Sequence, residues 1–267
     1  MPREAQVKTT PTTNWVNLLQ QTCADIKMTH LDFILDQCGI DFSVIPVLRE
    51  FSPHLEWQSL YQGLPEDALT EESPLLIRIS LQDIQQKQWF IELAQEVQKS
   101  APLLVLCSPW PFTPLAQWLT DCTDATHEGR AGLFRYFDTR IFPYLFSHIL
   151  EPDQQAQLQR PALFWSWLDL DEKPRLLMGQ GAQPAINEKC QNIALVDRQF
   201  EALMCICDAK LMLRHRDVPT AGFTSQDERF TACFKGMLSA TAKGMILDKA
   251  REDWVMGILT DRPSADS

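Results

Sequence analysis

The chain has 267 residues, 45% of them hydrophobic, with eight Trp and 14 Phe; this excludes a disordered chain and suffices for one large domain or two lobes. A net charge of −11 and a pI near 4.9 disfavour nucleic acid or an anionic membrane surface as the main partner. The charge is uneven: residues 1–185 hold 13 Lys+Arg and 23 Asp+Glu and residues 186–267 hold 11 and 12, so an acidic first part precedes a nearly neutral second one.

Residues 1–14 are polar and are expected to form a loose arm, within a lead-in that extends to residue 30. They contain no apolar h-region of the signal-peptide kind. No apolar run approaches the ~20 residues that span a bilayer. A cytoplasmic protein without membrane insertion is therefore expected.

"LDFILD" (31–36) reads as a strand closed by a turn at Cys38-Gly39, and "SVIPVLREF" (43–51) as a short helix. "WQSLY" (57–61) is a weak strand before the turn Gly63-Leu64-Pro65, and "PLLIRI" (74–79) a better one. Ile84, Trp89, Leu93 and Val97 recur at helical spacing and predict a helix over 83–99. "PLLVLC" (102–107) is a continuous apolar run of the kind buried strands show, and 113–120 reads as a helix carrying Leu115, Trp118 and Leu119. "AGLFRYFD" (131–138) alternates in part and predicts a strand. "ALFWSWLD" (162–169) and "PRLLMGQ" (174–180) predict two more, joined as a hairpin across Glu172-Lys173. Asp169 and Asp171 fit a solvated turn there.

The texture changes after Pro184. Cys190, Ile193, Val196, Phe200, Leu203, Cys207 and Leu211 predict one amphipathic helix over 187–214. Ser225 and Glu228 form a capping-box pattern before a helix with Phe230, Cys233, Phe234, Met237 and Thr241 on one face, which Gly244 ends or interrupts. Asp248 is placed to cap a third helix with Leu247, Trp254 and Ile258 apolar, and the tail DRPSADS is expected to be disordered. The fold class is therefore α/β (α+β): a mixed-sheet lobe with flanking helices over 31–185, then a helical lobe over 186–267.

Chemistry-bearing patterns are few. The chain has no G-x-G-x-x-G, G-x-x-x-x-G-K-[ST], G-x-S-x-G or H-E-x-x-H. Cys205 and Cys207, with Cys190 and His215, could be imagined as a metal site, but two thiols two residues apart on a helix point about 200° from each other at ~100° per residue. The most enzyme-like spot is Cys107, at the end of a buried strand where α/β folds gather ligands, with His127 as a conceivable base. A buried structural cysteine is the plainer reading. No catalytic, cofactor or metal residue is assigned.

"FRYFDTR" (134–140) sets two arginines and an aspartate beside the apolar run 141–146. As a strand it would point Phe134, Tyr136 and Asp138 one way and Arg135 and Phe137 the other. Asp138 would then cap the following helix, and Arg135 or Arg140 would fork onto a carboxylate. On these grounds Arg135, Tyr136, Asp138 and Arg140 form a strand-to-helix corner with a structural role.

This segment resembles the "FR(F/Y)(Y/F)DPR" signature of the type VI secretion effector chaperones, or adaptors of the Tap/Tec type, a family first catalogued as a domain of unknown function. "FILDQCG" resembles the family's opening strand, and "SLYQGLPEDALTEESPLLIRI" its next block. Arg135, Asp138 and Arg140 match residue for residue, whereas Thr139 stands where the signature usually has Pro, and Leu75-Leu76 replaces its Pro-Tyr-Leu spacing. The resemblance covers roughly residues 31–170.

It implies a non-enzymatic cytoplasmic protein. Such a protein binds the N-terminal region of a cognate toxic effector and helps load it onto the valine-glycine repeat spike protein. The more variable helical region is then expected to read the client, with Met204, Phe230, Phe234, Met237 and Trp254 as candidate contacts, each also a candidate for the core. The competing classes are an enzyme using Cys107 as nucleophile and a structural component of the secretion apparatus.

Overall fold

The structure, a computed structural model, describes residues 10–52, 54–185 and 188–260. Residues 1–9 of the expected arm and the tail 261–267 lie outside the described residues.

The chain is built on a six-stranded sheet in the order β2-β3-β1-β4-β7-β8, with β1 His30–Asp36, β2 Glu56–Ser59, β3 Pro74–Ser80, β4 Leu104–Cys107, β7 Phe164–Leu168 and β8 Pro174–Met178. All its neighbours are antiparallel. Antiparallel sheets often have one wet face and then alternate in sequence. Here both faces of the central strands are covered, so β1, β3, β4 and β7 are apolar on both sides, interrupted by Asp32, Arg78 and Ser166.

One face is packed by α1 Pro11–Asp25, α2 Ile45–Glu50 and α3 Ile84–Val97, around Phe33, Ile77, Phe90 and Val105. The stretch 11–14, expected to be loose, is therefore helical. Thr10 caps α1 by accepting from the Thr13 N–H, and Pro11 suits its first turn. Trp15 is 1% exposed and its indole N–H donates to Ser166 Oγ of β7 at 2.9 Å. In α3 the buried apolar residues are Phe90, Leu93, Ala94 and Val97; Ile84 is exposed at the outer end of the helix.

The second face carries α4 Phe112–Thr123, a short α5 Phe142–Tyr144 continuing into a π-helical turn over Leu145–Ile149, α6 Pro152–Gln159, and the C-terminal helices α7 Asp197–His215, α8 Gln226–Ala242 and α9 Asp248–Thr260. A single hydrophobic core joins Ile34, Leu76, Leu104 and Trp165 of the sheet to Ile206, Phe234, Val255 and Leu259 of these helices. The boundary at 185/186 marks a change of composition that this core crosses.

A second, three-stranded sheet has the order β6-β5-β9, from β5 Asp124–His127, β6 Arg130–Leu133 and β9 Ile193–Leu195. β9 runs parallel to β5 and β6 antiparallel to it. The expected helix over 187–214 is thus corrected: 193–195 is a strand, residue 187 lies outside the described residues, and the helix begins at Asp197. Gln199 fixes this start, accepting from the Val196 N–H and donating to the Ile149 carbonyl and Gln154.

Ser225 caps α8 by accepting from the Glu228 N–H, while the Glu228 carboxylate turns to Thr224 instead of Ser225. Asp169 is not solvated: it is 7% exposed, accepts from the N–H groups of Asp171 and Lys173, and pairs with Arg175, whereas Asp171 stays partly exposed. The Asp171 carboxylate accepts from the Gln226 and Asp227 N–H groups, docking the β7–β8 hairpin on the start of α8. Asp248 is the first residue of α9, whose buried residues are Val255 and Leu259; Leu247 and Ile258 are exposed. Among the described residues, no helix is long and apolar enough to cross a membrane.

Candidate functional site

The segment 134–140 is a turn, not the predicted continuation of β6. The strand stops at Leu133, the Phe134 N–H bonds the Thr123 carbonyl, and the chain then folds on itself through Tyr136 N–H to Phe134 O and Asp138 N–H to Arg135 O. A turn does not alternate its side chains as a strand does. All three aromatics, Phe134, Tyr136 and Phe137, point inward, and Tyr136 donates its hydroxyl to the Leu119 carbonyl at 3.1 Å. Burial pushes the Tyr136 phenol well above the ordinary tyrosine range.

The charged residues of the turn are each partnered. Asp138 and Arg140 form a two-pronged pair at 2.7 and 2.6 Å, and the same carboxylate accepts the Arg140 N–H at 3.0 Å. The expected helix cap is therefore displaced by a step: the Asp138 carboxylate closes the turn, while its main-chain carbonyl receives the Ile141 and Phe142 N–H groups. Arg135 pairs with Asp36 at the end of β1, and its guanidinium lies 5.7 Å from the centre of the Phe137 ring.

Burial works to raise the Asp138 carboxyl, but the Arg140 fork and N–H outweigh it and hold Asp138 below the ordinary aspartate value. The stabilisation this gives is complete above the unfolded pKa of about 3.9 and is lost as pH falls through the lower folded value. Asp138→Ala is expected to destabilise by about 1–3 kcal/mol at neutral pH, since a half-buried arginine and a turn N–H lose their acceptor. In urea titrations, the gap between wild type and Asp138→Asn should narrow as pH is lowered from 6 towards 2; a constant gap would show that the ion pair is not its source.

The Asp36–Arg135 pair joins two of the stretches that carry the family resemblance, "FILDQCG" and "FRYFDTR". The third stretch arrives at the same place. Tyr61 is 4% exposed and lies within electrostatic reach of Arg135 and Asp36, and burial lifts its phenol to about 12. Three segments far apart in sequence therefore meet around one ion pair. Asp36 and Tyr61 were not singled out from sequence, since only the fold shows what they face.

Beside this knot lies an apolar groove of about 420 Å³. Its floor and one wall come from β5 and β6 with Phe134 and Ile141, and the other wall is α7 with Phe200, Leu203, Met204 and Cys207. His127 stacks on Phe200 with ring centres 4.3 Å apart and bonds Asp197 at 3.2 Å. Here the expected buried face of α7 is overturned. Val196, Phe200, Cys207 and Leu211 are exposed, and the residues facing the core are Ala202, Cys205, Ile206, Ala209 and Met212.

The proposed contact residues separate accordingly. Met204 is 45% exposed in the groove wall. Phe230, Phe234 and Met237 are core residues with at most 5% exposure, which corrects their assignment to a partner surface. Phe234 and Phe230 instead pack on Tyr144, whose hydroxyl bonds Thr231. Trp254 is partly buried under the Lys243 ammonium, 4.7 Å from its ring centre.

Cys107 is fully buried, its sulfur 3.8 Å from that of Cys23. The contact with Cys23 and burial both push its thiol far up, so it is not poised as a nucleophile. His127 is held on β5 by Phe200 and Asp197. Cys205 is buried and Cys207 exposed, on opposite sides of α7, while Cys190 lies against Cys122 at 3.5 Å.

A family model described as "Domain of unknown function (DUF4123)" matches residues 33–157, from β1 through α6, so that the Asp36–Arg135 pair and the whole turn fall inside the match. No curated protein and no solved structure matches the chain.

Proposed function

We propose that this protein is a cytoplasmic chaperone or adaptor of type VI secretion, which binds one toxic effector and helps load it onto the valine-glycine repeat spike protein without itself being an enzyme. The reading starts from the resemblance of three sequence stretches to that family. The observation that carries it is their convergence on the Asp36–Arg135 pair. Matches arising by chance have no reason to meet in space, whereas a shared architecture requires it. The open apolar groove beside the pair supports a binding role, since a patch of this kind on a folded chain marks an interaction site.

The test is co-expression with the product of the neighbouring toxin gene, followed by purification through a tag on the chaperone. A stable one-to-one complex formed mainly through the effector's N-terminal region is expected, and effectors from unrelated clusters should not be retained. Equal recovery of unrelated effectors would remove the specificity that the proposal requires. Recovery only within the assembled secretion machine would point to a structural component.

A further inference from the structure

We infer that the groove between α7 and β5–β6 docks an acidic amphipathic helix of a partner protein; with the effector as that partner, this rests on the chaperone reading above. Phe200, Met204, Cys207 and Leu211 recur at three- and four-residue spacing and are all exposed. They form a stripe of three turns, about 16 Å long at ~1.5 Å rise per residue. A stripe of this shape fits a second helix laid along it, with anchors at positions i, i+3, i+4 and i+7.

The charge beside the stripe selects the occupant. Arg130 of β6, Lys210 and Arg214 form no ion pair among the described residues, and the pKa of Lys210 is lowered by burial and by nearby Arg140 and Arg214, with Asp138 working against them. Arg135 and Arg140 add two cations, balanced by Asp36 and Asp138. Three cations without an ion pair, Arg130, Lys210 and Arg214, therefore border the stripe on a chain whose net charge is −11, with the α7 carboxylates Asp197, Glu201 and Asp208 set apart from Lys210 and Arg214. The anions of α7 follow the other edge of the stripe, where Asp197 bonds His127 and Asp208 pairs with Arg251. A helix with carboxylates along the flank facing Lys210 and Arg214 satisfies these cations; a basic helix is repelled. The chain's own ends, MPREAQVKT and DRPSADS, lack the apolar spacing needed to fill the groove.

The test uses two labelled synthetic helical peptides with identical Leu anchors, one with Glu and its twin with Lys along one flank. Fluorescence anisotropy should show the Glu peptide binding the full-length protein. Binding should weaken at least tenfold in Met204→Asp and in the double variant Lys210→Glu/Arg214→Glu, while both variants melt like wild type. The double variant should instead gain affinity for the Lys peptide. Equal binding of the twins, no binding of the Glu peptide, or full binding by Met204→Asp overturns the inference. So does a wild-type dimer that Met204→Asp dissociates, which would give the face to a second copy of the chain.

Co-purification separates this inference from the reading it rests on. An effector still retained by Met204→Asp removes the groove as its site and leaves the chaperone reading intact. A wild-type protein that binds the Glu peptide but retains no effector removes the chaperone reading and keeps the groove.

Discussion

Asp32→Ala is expected to destabilise the protein by about 3–5 kcal/mol, because it strands a buried arginine. Asp32 and Arg78 face each other directly across β1 and β3. Asp32 is fully buried, and the guanidinium grips both carboxylate oxygens at 2.7 and 3.0 Å. Arg78 also donates to the Trp110 carbonyl at 3.0 Å and lies 5.6 Å from the centre of the Phe112 ring. Burial pushes the Asp32 carboxyl up, and the Arg78 fork works against it. Without the carboxylate, the charge stays under α4 with only one main-chain acceptor. With total stability of about 5–15 kcal/mol, the loss is a large fraction of the whole.

The control for this effect is the apolar pair Asp32→Leu/Arg78→Met. Replacing both members of a buried ion pair with side chains of similar volume is often neutral, so the double variant should be far more stable than Asp32→Ala alone. Urea midpoints of the single and double variants decide the matter. If Asp32→Ala costs less than about 1 kcal/mol, the arginine finds water or another acceptor and the pair is not what fixes β1 against β3.

Burial explains which elements were legible in the sequence. "LDFILD", "PLLIRI", "PLLVLC" and "ALFWSWLD" announce themselves because both faces of these strands are covered, and a short stretch that is mostly apolar on both sides between turn residues is a strong local signal. β9 gives no such signal, since three residues pair with a strand almost 70 positions earlier in the chain. The start of α1 was hidden by its polar threonines, although Thr10, Pro11 and the spacing of Trp15, Leu19 and Cys23 are the marks of a capped helix.

The inward face of α7 is hidden in the sequence for a different reason. α7 carries apolar residues on both sides, so periodicity names a helix without naming its inward face. Side-chain volume gives a false cue: the large Phe200, Met204 and Leu211 lie outside, while Ala202, Cys205 and Ala209 face the core. Small residues there suit close packing against α8. Ile206 and Met212 are the large residues that α7 turns inward, and Phe200, Met204 and Leu211 remain as an apolar surface that a partner can cover; this face keeps Met204 in the candidate site while the buried Phe230, Phe234 and Met237 leave it.

Truncation after Gln183 is expected to abolish cooperative folding instead of releasing a binding-deficient lobe. The cut removes β9 from β5 and strips Ile206, Phe230, Phe234, Met237 and Val255 from the core that also holds Leu104, Phe142 and Trp165. Tyr144, Ile149 and Trp118 would lose neighbours and meet water. At roughly 1.5–3 kcal/mol for each large apolar side chain, five such losses already match the stability of a whole domain. Fragment 1–183 should therefore bind hydrophobic dyes and show no sharp thermal transition in circular dichroism. A fragment that melts cooperatively within about 5 °C of the full chain would show that the sheet and α1–α6 are self-sufficient, and the shared core would then be an interface between two domains. The expected collapse also dictates how binding must be mapped: by single exposed side chains such as Met204 and Arg214, whose substitution leaves the core of the protein untouched.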